Sequence, residues 1–276
     1  MKYKLFISDF DGTLGHAPEN TIDQETLTAI KEYSSRGGTF VICSGRNLDS
    51  LTNILSSVNM QNTGVLVGIQ GSIIKDLQTG EFLFCDGLDK KTAIDFTNRL
   101  LADGHSVVLF LGDVMHFEQR DERIAYYVKM HGNISHKGNY VDSLEKEIEK
   151  SQYPVTKVLG ICEKGLEDFF QAKYNEIYKG KNISVNSGGQ YLLEGINPNL
   201  DKGNAVRFLA KHYNVSLDQV ITVGDSTNDI PLVKGEWYGV AVGDGKQALK
   251  DVAKEVTVPY KDKPVLHLLK KYCLDD

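Results

Sequence analysis

The sequence predicts an α/β protein built on a doubly wound, mostly parallel sheet, interrupted by an inserted α+β domain. Three observations carry that expectation. Short apolar runs alternate with helical periodicity near both ends of the chain, the polar turns closing the first two runs carry reactive side chains, and the middle of the chain loses the alternation.

Tyr3 to Ser8 is a short apolar run that stops at Asp9-Phe10-Asp11-Gly12-Thr13, the pattern of a buried strand entering a polar turn. From Asp23, apolar Leu27, Ile30 and Tyr33 recur at three-residue steps and predict a helix, which Arg36-Gly37-Gly38 stops. Thr39 to Ile42 is a second strand, ending in the turn Ser44-Gly45-Arg46. A helix from Leu48 to Val58 and a third strand from Val65 to Ile69 follow. Strand, helix, strand, helix, strand implies parallel pairing, with ligands collecting beyond the carboxyl ends of the strands.

Ile73 to Cys85 reads as a hairpin around Leu77-Gln78-Thr79-Gly80. The middle then predicts helices at Lys90 to Leu101, Arg123 to Met130 and Leu166 to Tyr174. Its expected strands are Ser106 to Leu111, Val114 to Glu118, Val155 to Ile161, Ile183 to Val185 and Tyr191 to Glu194. The alternation returns with a helix from Lys202 to Tyr213, a strand from Val220 to Gly224, a helix from about Thr227, a strand from Tyr238 to Val242 and a helix from Lys246 to Lys254. The expected division is a parallel-sheet core over residues 1–85 and 191–276, with an α+β insert over 86–190.

Apolar residues make up 41% of the 276, charged residues 25%, and the net charge is −6, the profile of an ordinary globular chain. No Lys/Arg block supports a nucleic-acid groove. The apolar stretch Leu5-Phe6-Ile7 ends at Ser8-Asp9 and cannot serve as a signal segment, and no run reaches membrane-spanning length. Cys43, Cys85, Cys162 and Cys273 lie far apart with no Cys-x-x-Cys pair, which predicts reduced thiols and a cytoplasmic location. Cys43 reads as a buried strand residue. No heptad or charge pattern indicates an oligomeric state.

Asp9 and Asp11 stand two apart at a strand end, where Gly12 permits a sharp turn. Two close carboxylates repel unless a cation or hydrogen bonds compensate, and a hard cation such as Mg²⁺ suits oxygen ligands. Asp and Gly also begin ordinary turns, so both readings stand for this pair alone. A second cluster, Gly224-Asp225-Ser226-Thr227-Asn228-Asp229, follows another predicted strand. Helix capping explains its hydroxyls but not two acids and an Asn.

Asp9-Phe10-Asp11-Gly12-Thr13-Leu14 and Gly224-Asp225-Ser226-Thr227-Asn228-Asp229 resemble the first and fourth motifs of the haloacid dehalogenase (HAD) superfamily. Ser44 in Cys43-Ser44-Gly45-Arg46 and Lys202 in Asp201-Lys202-Gly203 match the second and third, in family order. The insert resembles the cap of the Cof-type (subfamily IIB) branch, so the likeness spans essentially the whole chain. One departure is visible: Gln70-Gly71 stands where that branch commonly has Asn-Gly.

The resemblance implies an Mg²⁺-dependent phosphatase acting on a small phosphorylated metabolite. In it Asp9 attacks phosphorus, forming an aspartyl phosphate, and Asp11 serves as general acid and then base. Ser44, Gly45 and Lys202 would bind the phosphoryl oxygens. Mg²⁺ would be held by Asp9, the Asp11 carbonyl and Asp225, with Asp229 as a ligand or support, and Asn228 would orient Lys202 or the nucleophile. The insert would close over the phosphoryl site and set substrate choice. Arg46, Asn186, Glu194 and Asn197 are candidates to face the cleft, with solvated surface the favoured reading for each; Trp237 reads as packing, and His105, His116 and His131 as weak candidates only. A phosphomutase using the same nucleophile and a catalytically silent metabolite-binding regulator are the competing functions.

Overall fold

The computed structural model describes residues 2–15, 20–60, 64–131, 138–189 and 191–274, the side chains of 130 and 131 excepted. Its strands are β1 (Leu5–Ser8), β2 (Thr39–Cys43), β3 (Val65–Gly68), β4 (Ile73–Asp76), β5 (Phe82–Cys85), β6 (Ser106–Leu111) and β7 (Val114–Phe117). They continue as β8 (Asn139–Tyr140), β9 (Val155–Ile161), β10 (Ser184–Ser187), β11 (Leu192–Ile196), β12 (Val220–Gly224), β13 (Tyr238–Ala241) and β14 (Glu255–Val256). The chain divides into two compact units, Met1–Leu83 with Asp201–Asp276, and Phe84–Leu200.

In the first unit the strands lie in the order β14-β13-β12-β1-β2-β3-β4-β5. All pairings from β14 to β3 are parallel, and β4 is antiparallel to β3. β1, β2 and β3 are apolar on both faces at most positions, as strands covered on both sides must be. The chain builds outward from β1 in one direction to β2 and β3, and later returns to pair β12 with the other edge of β1. The strand order therefore reverses at β1, and the crevice beyond the carboxyl ends of β1 and β12 is the topological switch point.

The helices form for reasons legible in their residues. Gln24–Ser35 is capped by Asp23, whose side chain accepts from the Glu25 and Thr26 amides, a contact worth about 1 kcal/mol. It buries Leu27, Ile30 and Tyr33 on one face, each apolar side chain contributing roughly 1.5–3 kcal/mol. Lys202–His212 begins at Asp201, which accepts from the Asn204 amide, and turns Ala205, Val206 and Leu209 into the core. Trp237 is fully buried and donates to the Leu232 carbonyl at 2.6 Å, a packing role.

The second unit carries an antiparallel-rich sheet in the order β10-β11-β9-β6-β7-β8. Its core gathers Phe96, Leu100, Val107, Leu109, Val158, Tyr174, Tyr178 and Leu193. The boundaries differ from the expected 85/86 and 190/191. β11 completes a ladder with β9 and β10, so the strand that the sequence assigned to the core belongs to the second unit. Gln190 itself lies outside the described residues. Leu144–Lys150 and Pro264–Leu269 are helices that the sequence did not predict. The first has only Leu144 and Ile148 buried in a run of Glu and Lys, too few apolar positions to show a period.

Between β3 and β4 the backbone makes a tight 3-10 turn, Ile69–Gly71, with φ of 48°, 56° and 102° at Ile69, Gln70 and Gly71. A left-handed conformation costs a non-glycine residue about 1–3 kcal/mol, and a β-branched one most. The turn is held by the Ile69 amide donating to the Arg46 carbonyl (2.9 Å) and the Gln70 amide to the Ser44 carbonyl (3.2 Å). At Gly71 a Cβ would lie 2.4 Å from the Asp201 carbonyl oxygen, so the turn abuts the start of the Lys202–His212 helix. Gly71→Ala is therefore expected to lose about 1–3 kcal/mol, read as a lower denaturation midpoint in urea, whereas an unchanged midpoint would show that this contact is slack.

Candidate active site

Parallel pairing brings the predicted motif residues together. The Asp9 amide donates to the Val223 carbonyl at 2.9 Å, so Asp9 leaves β1 beside the end of β12, where Gly224 and Asp225 follow. Ser44 follows β2 and its amide donates to the Val67 carbonyl at 3.0 Å, which aligns its loop with the same sheet edge. Lys202 opens its helix with the side chain turned inward and fully buried.

The Lys202 ammonium donates to Asp9 Oδ1 and to Asp229 Oδ1, each at 2.6 Å. The Asp229 side chain is itself fully buried, and its other oxygen, Oδ2, accepts from the Asp225 and Ser226 amides at 3.1 and 3.0 Å. Both oxygens of Asp229 are thus committed to protein donors. Its location follows from a reciprocal cap: the Ser226 side chain accepts from the Asp229 backbone while the Asp229 side chain accepts from the Ser226 backbone. Removing one member of such a buried ionic set costs roughly 3–5 kcal/mol, because the remaining charge is stranded.

Oxygen atoms of Asp9, Asp225 and Asp229 lie within 4.8 Å of one another. Three carboxylates share one ammonium, so negative charge is in excess inside a poorly solvated pocket. Burial, then the Asp229 charge, push the Asp9 carboxyl up to about 8 in spite of Lys202. Burial and Asp229 likewise push Asp225 up to about 6. For Lys202, burial pulls the other way, but the Asp229 and Asp9 carboxylates outweigh it and hold the ammonium charged.

Asp225 Oδ1 is buried and has no hydrogen-bond partner among the described residues. The cost of such an orphaned acceptor, the excess of negative charge and an all-oxygen donor set together fit a hard divalent cation. Gly12 is shaped to the same end. Its φ is +74°, and a Cβ there would stand 2.7 Å from Asp225 Oδ2, so only glycine lets the Asp9–Asp11 loop approach that carboxylate.

Asp11 sits apart from the ionic set. Arg46 holds it with a two-pronged contact, Nε to Oδ2 at 2.7 Å and Nη2 to Oδ1 at 2.5 Å, while the guanidinium lies 5.0 Å from the centre of the Phe10 ring. Arg46 thus has a partner among the motif residues, where the sequence favoured solvated surface over a place facing the cleft. Its signal was its position in the Ser44-Gly45-Arg46 turn, but a partner 35 residues away is not visible in local pattern. The Lys202 ammonium contacts Asp9 and Asp229, and Asn228, expected to orient Lys202 or the nucleophile, donates to Gln70 Oε1 at 3.4 Å.

Ser44 is buried, and its Oγ accepts from the Arg46 amide at 3.2 Å. Cys43, directly before it, is buried in β2 with its thiol pushed up to about 12 by burial, which makes it inert. The four cysteines are unpaired. Glu194 pairs with the buried Lys157 at 2.9 Å, and Asn197 donates to the Gly87 carbonyl at 2.8 Å. Both therefore have structural partners inside the second unit in place of the expected solvent. His105 is held by the Tyr174 hydroxyl at 3.0 Å and His116 by the Val114 carbonyl at 3.1 Å, while the His131 side chain lies outside the described residues. Among the described residues no helix is long and apolar enough to cross a membrane.

Known proteins with the same architecture are numerous. The chain is 22% identical to phosphatase YwpJ of Bacillus subtilis over 292 aligned positions, covering 97% of this chain and 99% of that one. The crystal structure of TM0651 from Thermotoga maritima superposes with a TM-score of 0.85 at 25% identity, covering 99% and 100% of the two chains. The subclass IIB sugar phosphatase BT4131 superposes with a TM-score of 0.76 at 17% identity, covering 98% of each. A family model for haloacid dehalogenase-like hydrolases matches residues 6–269, nearly the whole chain, and takes in all four motif loops. This chain belongs to that family, as a Cof-type member of the HAD superfamily.

Proposed function

We propose that this hydrolase releases phosphate from small phosphate monoesters through a covalent phosphoryl intermediate on Asp9, with Mg²⁺ as cofactor. The observation that carries the reading is the asymmetry of Asp9. Its Oδ1 is tied to Lys202, while Oδ2 takes no hydrogen bond from a described residue and is free to act as nucleophile.

In the first step Asp9 Oδ2 forms a bond to phosphorus as the bond to the leaving oxygen breaks. The electron pair goes to that oxygen, which takes a proton from Asp11. In the second step a water attacks phosphorus, giving a proton to Asp11 and returning Asp9 to its carboxylate. Arg46 donates to both Asp11 oxygens, so one of these bonds would open as Asp11 takes up and delivers the proton. The Ser44 hydroxyl, the Gly45 amide and the Lys202 ammonium would bind the three phosphoryl oxygens as charge builds on them. Asp9 and Asp225 would hold Mg²⁺, which would offset the repulsion between the carboxylates and a phosphate dianion. The role of a cap for the second unit, a small phosphorylated metabolite as substrate and a cytoplasmic location belong to the same proposal.

Two tests follow from the excess negative charge and the free oxygen. Asp9→Asn is expected to lower phosphate release from p-nitrophenyl phosphate by at least ~10³-fold, and chelation of the metal to lower it comparably. A folded Asp9→Asn protein that retains wild-type release would remove Asp9 from the chemistry. Absence of release by wild type from a broad ester panel would favour the mutase or the silent binder. Independently of turnover, Mg²⁺ at about a hundred times its dissociation constant should stabilise the wild-type fold by ~2.7 kcal/mol, seen as a rise in denaturation temperature. Asp225→Asn should reduce that rise, and an equal rise in the variant would place the cation elsewhere.

A further inference from the structure

The turn Ile69–Gly71 touches three of the motif loops at once. Its backbone is bonded to Ser44 and Arg46, Gly71 abuts Asp201 and the Lys202 amide, and the Gln70 side chain reaches Gly45 and Asn228. A Cβ placed on Gly45 would fall 2.4 Å from Gln70 Nε2 and 3.1 Å from its Cδ, so the carboxamide stands close beside Gly45. Gln70 Oε1 accepts from Asn228, whereas the two Nε2 hydrogens have no acceptor among the described residues. Asn228 is exposed and Gln70 is half-exposed, but Asp9, Lys202 and Asp229 beneath them are buried. The site therefore has a charged floor that meets the phosphoryl group and a neutral, hydrogen-bonding rim of Gln70 and Asn228.

The backbone at Gln70 sharpens the point. Its φ of 56° and ψ of 22° are left-handed values for which Asn is better suited than Gln, because the shorter amide can bond to its own backbone. Gln differs from Asn by one methylene, which extends the amide by about 1.5 Å. That reach is what carries the carboxamide over Gly45 to Asn228. A residue serving only to hold the turn would gain nothing from it.

We propose that Gln70 is a specificity-determining residue of this site, its free Nε2 donors binding a hydroxyl of the leaving group and so favouring hydroxylated phosphate esters over bare aryl or alkyl ones. The inference rests on the phosphatase reading above. A donor pair matched to a substrate hydroxyl discriminates against esters that lack one, since the amide is then desolvated without a partner. A neutral amide at the rim adds no charge against the phosphoryl dianion, for which Ser44, Gly45, Lys202 and a bound cation are the proposed partners.

The experiment compares kcat/KM for hydroxylated esters (a hexose 6-phosphate, a pentose 5-phosphate and glycerol 3-phosphate) with kcat/KM for p-nitrophenyl phosphate, in wild type, Gln70→Asn and Gln70→Leu. The ratio of the best hydroxylated ester to the aryl ester is expected to fall at least tenfold in both variants. Gln70→Asn should at the same time keep or raise the denaturation temperature, which separates loss of the contact from loss of the fold. A ratio unchanged in Gln70→Asn and Gln70→Leu overturns the proposal. So does a parallel fall on all esters, which would make Gln70 a support for Ser44–Gly45, or a wild type that prefers the aryl ester throughout. A wild type that hydrolyses none of the four overturns the phosphatase reading itself.

Discussion

Three closely spaced carboxylates, two of them buried, set against one buried ammonium are the constraint around which the first unit is organised. Lys202 can bridge Asp9 and Asp229 only if the ends of β1 and β12 and the start of the Lys202–His212 helix meet at one point. The parallel pairing of β1 with β12 supplies that meeting, and the reversal of strand order at β1 leaves space above it. Asp229 is the quiet member of the set. With both its oxygens occupied by Lys202 and by two backbone amides, it fixes the ammonium and leaves Asp9 and Asp225 with atoms to spare.

The same constraint explains why the site is poised for a cation. A buried cluster with two more negative charges than positive ones is unstable unless protons or a metal make up the difference. The upward displacement of Asp9 and Asp225 is the protonic answer, and a divalent ion is the other. Gly12 matters here for its missing side chain. Any Cβ would push Asp225 away from the loop that carries Asp9 and Asp11, and the donor set would spread.

Much of this was legible in the sequence because strands and loops in a parallel sheet announce themselves locally. The apolar runs at Leu5–Ser8, Thr39–Cys43 and Val220–Gly224 and the acids just after them need only short-range pattern, and parallel pairing then aligns their ends. What stayed hidden depends on pairing across long separations. The fork between Arg46 and Asp11, the Asn228–Gln70 contact and the membership of β11 in the second sheet are set by which segments become neighbours. No local period encodes those. The short helix Leu144–Lys150 was hidden for a different reason, since two buried residues in seven cannot define a face.

The strained turn at Ile69–Gly71 links these two levels. Fully buried Ile69 anchors it in the core, and hydrogen bonds to Ser44 and Arg46 hold it against the loop after β2. Left-handed backbone at a β-branched residue persists only when its surroundings over-determine it, and here those surroundings are the motif loops themselves. The strain is thus maintained by the elements that carry Ser44, Arg46 and the Lys202 ammonium. In return the turn holds one neutral amide at a fixed place above them. A rigid floor of paired charges cannot be altered without losing the ionic set, whereas a rim residue on a separately braced turn can change its reach without disturbing the charges below. Buried Lys202 and half-exposed Gln70 are thus held by separately braced elements of the same unit.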